Sequence, residues 1–170
     1  MIKCVFFDRD GVLIKNYGYL NNISKLKWLN GAINSIKILN KKKIRVIVVT
    51  NQSGVARGFF TEQELKKFHS DMNYILEKKK AIIDTFFYCP FHPNGKIKKY
   101  KKNSNLRKPG NGMLLKAMKK FKLHPSECAM IGDQKSDYLS AKKTKIYFEY
   151  KKNYALDIQI NNVLKKFNDK

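Results

Sequence analysis

Asp8 and Asp10 stand two residues apart where an apolar run, Cys4-Val5-Phe6-Phe7, ends, and Gly11 follows them. Side chains two apart on an extended chain point to the same side. The two carboxylates can therefore converge on one reaction centre, and in open α/β sheets ligands bind at the carboxyl ends of strands. Carboxylates this close repel, which raises a pKa or demands a cation. A bound magnesium ion is the simplest relief. The same residues also read as an Asp-Gly turn that closes a strand.

Further segments have the same form. Residues 44–49 are rich in β-branched side chains and lead into Thr50-Asn51-Gln52-Ser53-Gly54. Ala129-Met130-Ile131 leads into Gly132-Asp133-Gln134-Lys135-Ser136-Asp137. Between them, Arg107-Lys108-Pro109 stands just before a predicted helix. A hydroxyl, a lysine and further carboxylates thus follow the first aspartate in order. Phosphoryl transfer needs such a set: a nucleophile, a proton shuttle, a cation, and donors for the equatorial oxygens. Each member has a plainer reading. Thr50 could be an ordinary strand-end hydroxyl, Lys108 one lysine among many, Asp133 a helix cap and Asp137 a solvated helix residue.

Taken together, the four segments resemble the four motifs of the haloacid dehalogenase superfamily of phosphatases. Asp8-Arg9-Asp10-Gly11 resembles the first, Thr50 the second, Lys108 the third, and Gly132-Asp133 with Asp137 the fourth. The flanking residues, from Thr50 to Gly58 and Arg107-Lys108-Pro109, are similar to the D-glycero-D-manno-heptose 1,7-bisphosphate 7-phosphatases. The histidinol-phosphate phosphatases share nearly the same motifs. The resemblance implies Asp8 as nucleophile, forming an aspartyl-phosphate. It implies Asp10 as general acid and then base. Thr50 is expected to donate to a phosphoryl oxygen, and Lys108 to offset charge there and on Asp8. Asp8, Asp133 and the Asp10 backbone carbonyl are the implied magnesium ligands, with Asp137 supporting them.

For substrate recognition, the resemblance carries over the loop Asn16-Tyr17-Gly18-Tyr19, together with Asn51, Gln52, Ser53 and Arg107. Arg107 is the expected clamp for a second, distant phosphate, since a guanidinium suits bidentate phosphate contact. The Tyr17–Tyr19 loop reads equally as a turn with aromatics packed on the sheet. Two departures from the family pattern stand out. Many relatives carry a zinc loop of the form Cys-x-His followed by Cys-x-Cys before the Arg-Lys pair. Here Cys89 remains, but Phe91, Ser104 and Leu106 occupy the other positions, and His92 is one place off. A closed zinc site needs four ligands, so no zinc is expected, with Phe91 and Leu106 holding the loop by packing. The second departure is Gln134, where the heptose enzymes usually place a lysine that touches substrate.

The chain has 170 residues, a hydrophobic fraction of 43% and a formal net charge of +23. One domain covering residues 1–170, with a sizeable core, is expected at this length. Only four of the 36 basic residues are arginines (Arg9, Arg45, Arg57, Arg107), and the lysines are scattered. That pattern reads as solvated Lys-rich faces, although a basic field would also draw in a bisphosphate. No aromatic-interleaved basic motif or zinc-finger spacing indicates base reading, so no specific nucleic-acid partner is expected. No apolar run is long enough to span a membrane. Cys4, Cys89 and Cys128 make an odd set without framework spacing, which suits reduced thiols in a cytoplasmic protein. A monomer is expected.

The elements that must position these groups alternate. Strands are predicted over 2–7, 44–49, 83–88 and 128–131, with a short edge strand over 146–150. Helices are predicted over 31–42, 62–80, 112–121, 135–143 and 155–167. Thr61 caps the second of these, with Glu64 at the third position of a capping box. Its apolar face includes Leu65, Phe68, Met72, Ile75 and Leu76. Residues 90–105 read as a loop. Such alternation predicts an α/β, doubly wound, Rossmann-like parallel sheet with helices on both faces. No gap between motifs is long enough for a lid domain, so a capless enzyme is expected. The favoured function is a magnesium-dependent phosphatase acting on the 7-phosphate of heptose 1,7-bisphosphate, in lipopolysaccharide or glycoprotein sugar synthesis. Histidinol phosphate or another small sugar phosphate is the alternative substrate, and a nucleic-acid 3′-end phosphatase is a third reading.

Overall fold

Odd and even residues of the central strands enter two different cores, and this alternation organises the molecule. The computed structural model describes residues 1–169. Strand β1 (Cys4–Phe7) pairs in parallel with β2 (Arg45–Asn51) on one side and with β4 (Cys128–Gly132) on the other. Strands β3 (Thr85–Cys89) and β5 (Tyr147–Tyr150) complete the sheet as its two edges, in the order β3-β2-β1-β4-β5. Every pairing is parallel.

Val5, Phe7, Val46, Val48, Ala129 and Ile131 face one core. There they meet α1 (Ala32–Lys41), α3 (Glu62–Glu77) and α6 (Leu156–Asn168) through Ile36, Leu39, Phe68, Met72, Ile160 and Val163. Cys4, Phe6, Ile47, Val49, Cys128 and Met130 face the other core. That side is covered by α4 (Gly112–Phe121) and α5 (Lys135–Thr144), through Met113, Leu114, Ala117 and Ala141. Strands buried on both faces read as continuous apolar runs, which is why the run before Asp8 shows no polar alternation.

The predicted α/β class, order of elements and capping box are all found. Thr61 Oγ1 accepts from the Glu64 amide at 3.1 Å, and Glu64 accepts from the Thr61 amide at 2.6 Å. The boundaries differ where backbone pairing overrides composition. Strand β2 runs past Val49 to Asn51 because Thr50 and Asn51 pair with Tyr88 and Cys89. Helix α3 stops at Glu77 rather than residue 80, and Lys80 turns left-handed at φ 57°. The buried face of α3 contains His69 beside Leu65, Phe68, Met72 and Leu76, while Ile75 is only half-buried. A four-residue helix, α2 (Gly54–Arg57), follows β2 and was not anticipated.

The segment between β3 and α4 adds no lid domain. Phe91 and Leu106 pack against the second core, as expected for a loop held by packing. Tyr88 and Tyr100 each donate a hydroxyl to Glu62 at 2.7 Å, which ties this loop to α3. Those hydrogen bonds, Tyr100 first, also lower the Glu62 pKa. Among the described residues no helix is long and apolar enough to cross a membrane.

Candidate active site

Three strand ends deliver the candidate catalytic groups to one place. Asp8 follows β1 directly, and its amide still donates to Ile131 of β4 at 3.0 Å. Thr50 is the penultimate residue of β2, and Asp133 follows β4. Asp8, Asp10, Thr50, Lys108 and Asp133 all line one cavity of about 310 Å³. Asn16, Gly18, Tyr19, Asn51, Gln52, Ser53, Gln134 and Ser136 complete its lining. Tyr17 lies outside this lining, 45% exposed, with Lys15 Nζ 5.3 Å from its ring centre. Arg107 also lies outside it, in a neighbouring groove that shares Lys108.

Lys108 is buried, and its ammonium has three partners. It lies 2.9 Å from Asp8 Oδ1 and 2.6 Å from Asp137 Oδ1, and it donates to the Val49 carbonyl at 2.8 Å. An ammonium has three hydrogens, so all are engaged inside the protein. Burial alone would push the Lys108 pKa down, but Asp8 and Asp137 outweigh it and the pKa is raised. Its positive charge is thereby fixed beside Asp8.

Asp8 Oδ1 also accepts from the Arg9 amide at 2.8 Å. The hydrogen bonds to Asp8 thus gather on one oxygen, and Oδ2 is left to act. Burial drives the Asp8 pKa up to about 7, with Lys108 opposing it and Asp137 and Asp10 adding repulsion. A nucleophilic carboxylate must be ionised, so this crowded site calls for more positive charge than Lys108 supplies.

The neighbouring acids show where that charge fits. Asp8, Asp133 and Asp137 bring carboxylate oxygens within 4.8 Å of one another. Asp137 is already committed. Its Oδ1 meets Lys108, and its Oδ2 accepts from the amides of Asp133 and Gln134 at 3.2 and 3.0 Å. Asp133 differs, since Oδ2 accepts from Gln134 Nε2 at 2.9 Å while Oδ1 is buried without a hydrogen-bond partner. A buried carboxylate oxygen without a donor is costly unless a cation satisfies it. Asp133 Oδ1 and Asp8 Oδ2 are hard oxygen ligands of the kind magnesium takes. Burial, opposed by the Gln134 hydrogen bond, also raises the Asp133 pKa.

Gly11 makes the close approach of the first and fourth motifs possible. It has φ +84°, and a Cβ there would come within 2.3 Å of Asp133 Oδ2. Gly132 plays the same part on β4, where a Cβ would meet Asp137 Cβ at 2.3 Å.

Several polar residues read as substrate contacts have internal partners. The Gln52 side chain donates to Asp10 Oδ2 and to Thr50 Oγ1, both at 2.9 Å. With one lone pair so filled, the Thr50 hydroxyl can still donate its own hydrogen. Asn51 exchanges two hydrogen bonds of 3.0 Å with the Lys108 backbone. Asn16 accepts from the Gly18 amide at 2.8 Å, which shapes the turn carrying Tyr19. Tyr19 in turn lies 4.5 Å from Phe59, ring centre to ring centre. Cys89 is buried, its Sγ 3.9 Å from the Phe91 carbonyl.

Two residues at this site were not singled out from the sequence. The Arg9 side chain is fully buried and grips both carboxylate oxygens of Asp10. His69 touches Arg9 from α3. The available signals were an arginine between two aspartates and a histidine on the apolar face of a helix.

Known proteins resemble this chain in sequence and in fold. The family model described as polynucleotide kinase 3 phosphatase matches residues 3–164. The chain is 39% identical over 137 residues to the D-glycero-beta-D-manno-heptose-1,7-bisphosphate 7-phosphatase of Haemophilus influenzae, covering 81% of this chain and 74% of that protein. It is 34% identical over 140 residues to the Escherichia coli protein of the same name, covering 82% and 73%. Among solved structures, a had-like phosphatase from Mesorhizobium loti superposes with a TM-score of 0.86 at 22% identity, covering 98% of this chain and 86% of that one. The D,D-heptose 1,7-bisphosphate phosphatase from B. bronchiseptica, complexed with magnesium and phosphate, gives 0.79 at 22% identity, covering 97% and 99%. The structures share the fold, and the sequence relatives share the family. The chain belongs to the polynucleotide kinase 3 phosphatase family, within the haloacid dehalogenase-like phosphatases.

Proposed function

We propose that this chain is a magnesium-dependent phosphatase that hydrolyses the 7-phosphate of D-glycero-D-manno-heptose 1,7-bisphosphate, in the beta form that names its relatives. The observation that carries the reading is the asymmetry of Asp8. One oxygen is held by Lys108 and the Arg9 amide, and the other is left for attack at the cavity. In the first step Asp8 Oδ2 forms a bond to phosphorus and the phosphate–sugar bond breaks, with Asp10 giving its proton to the departing oxygen. In the second, Asp10 takes a proton from the water that attacks the aspartyl-phosphate, and Asp8 is regenerated. Thr50 donates to a phosphoryl oxygen, and Lys108 holds the charge balance around Asp8. Asp8, Asp133 and the Asp10 carbonyl would hold magnesium, which supplies charge neutralisation on the transferring group.

The second phosphate of such a substrate suits Arg107. Neither Arg57 nor Arg107 forms an ion pair among the described residues, whereas Arg9 and Arg45 both do. Arg107 Nη1 and Arg57 Nε are buried without hydrogen-bond partners, and His92 Nε2 lies 3.4 Å from Arg57 Nη2. Guanidinium groups left without acceptors suit a phosphate. Asn16, Tyr17, Gly18, Tyr19, Ser53 and Gln134 are read as the sugar-facing rim. The same reading takes residues 1–170 as one domain, monomeric and cytoplasmic, working without zinc, nucleic acid or membrane. Three free cysteines are consistent with that compartment.

The test is phosphate release, with magnesium, from both anomers of heptose 1,7-bisphosphate, histidinol phosphate, hexose phosphates and 3′-phosphorylated DNA. A heptose bisphosphate is expected to lead in kcat/KM by about a hundredfold, about 2.7 kcal/mol of discrimination. Flat activity across the panel would contradict the substrate assignment and leave the chemistry standing. Preference for DNA ends, with steep salt dependence, would favour the nucleic-acid reading.

A further inference from the structure

We propose that His69 is a positioning residue for Asp10, acting through the buried guanidinium of Arg9. Arg9 Nε donates to Asp10 Oδ2 and Arg9 Nη2 to Asp10 Oδ1, each at 3.1 Å, so the carboxylate plane is fixed by a two-pronged grip. The remaining nitrogen, Arg9 Nη1, lies 3.1 Å from His69 Nε2. Arg9 Nη2 also reaches the Leu20 carbonyl at 3.4 Å, and the Phe68 ring lies 5.1 Å from the guanidinium carbon. A guanidinium has donors and no acceptor. His69 Nε2 must therefore accept, which places the imidazole hydrogen on Nδ1. The imidazole is itself fixed, stacked on Phe86 at 4.3 Å and 9°. Burial and the Arg9 charge both hold His69 neutral, the form in which Nε2 has a lone pair to offer.

The arrangement forms a chain from β3 through α3 to the reacting group: Phe86 orients His69, His69 orients Arg9, and Arg9 orients Asp10. Phe86, His69 and Arg9 do not line the cavity, and Asp10 is the member of the chain that does. A buried Arg–His contact could equally be a staple between α3 and the first strand. The two roles separate in how catalysis responds. A general acid acts on the leaving group, so its misplacement slows the loss of a poorly leaving sugar alkoxide. A phenolate that departs without a proton is affected far less.

The inference rests on the phosphatase reading, and the experiment distinguishes the two. His69→Phe keeps the stack on Phe86 and removes the acceptor, whereas His69→Gln retains an acceptor. kcat and KM would be measured for heptose 1,7-bisphosphate and for 4-nitrophenyl phosphate. In His69→Phe, kcat for the sugar is expected to fall by about tenfold to a hundredfold with KM little changed. The fall for 4-nitrophenyl phosphate should be several times smaller, and His69→Gln should recover most of the sugar activity. Equal losses on both substrates, or a loss in KM alone, would overturn the positioning role. Nitrogen-15 spectra of the histidines in the wild-type protein give a readout independent of turnover and of variant folding. The Nδ1–H tautomer is expected for His69, and a hydrogen on Nε2 would overturn the proposal. A wild-type chain that releases phosphate from neither substrate while showing the Nδ1–H tautomer would overturn the phosphatase reading, and with it the role assigned to His69.

Discussion

Lys108 Nζ lies 2.6 Å from Asp137 Oδ1 and 2.9 Å from Asp8 Oδ1, so one ammonium joins a carboxylate that lines the cavity to one that does not. The Asp137 side chain is fully buried and holds no solvent-facing oxygen. Its other oxygen fixes the two amides that begin the turn carrying Asp133. Asp137 is therefore the joint between the lysine and the turn that carries Asp133.

Replacing Asp137 by Asn leaves Lys108 partly unpaired in a buried place. Breaking such a pair costs about 3–5 kcal/mol. Denaturant unfolding of Asp137→Asn should show a loss of that order, and kcat should fall together with stability. A variant with wild-type stability would show that Asp137 does not anchor Lys108.

Gly11→Ala adds a methyl group 2.3 Å from Asp133 Oδ2 at a backbone φ of +84°. The backbone strain is worth about 1–2 kcal/mol, and the carboxylate of Asp133 must also move. The variant should need markedly more magnesium for half-maximal phosphate release, by about tenfold or more. An unchanged magnesium requirement would show that Asp133 can shift without consequence for the cation.

Gln134 donates to Asp133 Oδ2 at 2.9 Å, although it occupies a position read from the sequence as substrate-facing. Gln134→Ala should therefore raise the magnesium requirement more than the KM for sugar phosphate. Removal of an outer partner of this kind typically costs about 10- to 100-fold in metal affinity. A change confined to the substrate KM would instead place the Gln134 amide on the sugar.

His69 links stability to pH. Burial first, and Arg9 second, hold its pKa well below 6.5 in the folded chain. The unfolded chain titrates near the ordinary value. Below that pH the unfolded state takes up a proton that the folded state refuses, so this contribution is complete above pH 6.5 and is lost as pH falls toward the folded pKa. The slope approaches about 1.4 kcal/mol per pH unit for one proton. Wild-type stability between pH 7.5 and pH 5.5 should fall more steeply than that of His69→Gln by up to this amount. Parallel pH profiles would contradict a neutral, buried His69.

The parts of the site that were legible in the sequence are those fixed by strand ends. Asp8, Thr50 and Asp133 each follow an apolar run, and the run itself announces a buried parallel strand. Lys108 was legible through its Arg and Pro neighbours and the helix that follows. Arg9 and His69 were not, because their contact joins residues 60 apart and depends on how α3 packs over β1. Gln52, Asn51 and Gln134 illustrate a different limit. Polar side chains beside a motif can satisfy each other or a ligand, and only their three-dimensional neighbours decide which. The +23 charge likewise said little about the site, where Lys108 and Arg9 are both paired within the protein.

Whether Asp8 carries the phosphoryl group is read by rapid acid quench of the protein mixed with magnesium and heptose 1,7-bisphosphate, followed by peptide mapping. One phosphoryl group is expected on the peptide containing Asp8, none in Asp8→Asn, and no turnover in that variant. Phosphate release by Asp8→Asn at the wild-type rate, or a phosphoryl group on any other side chain, would contradict it.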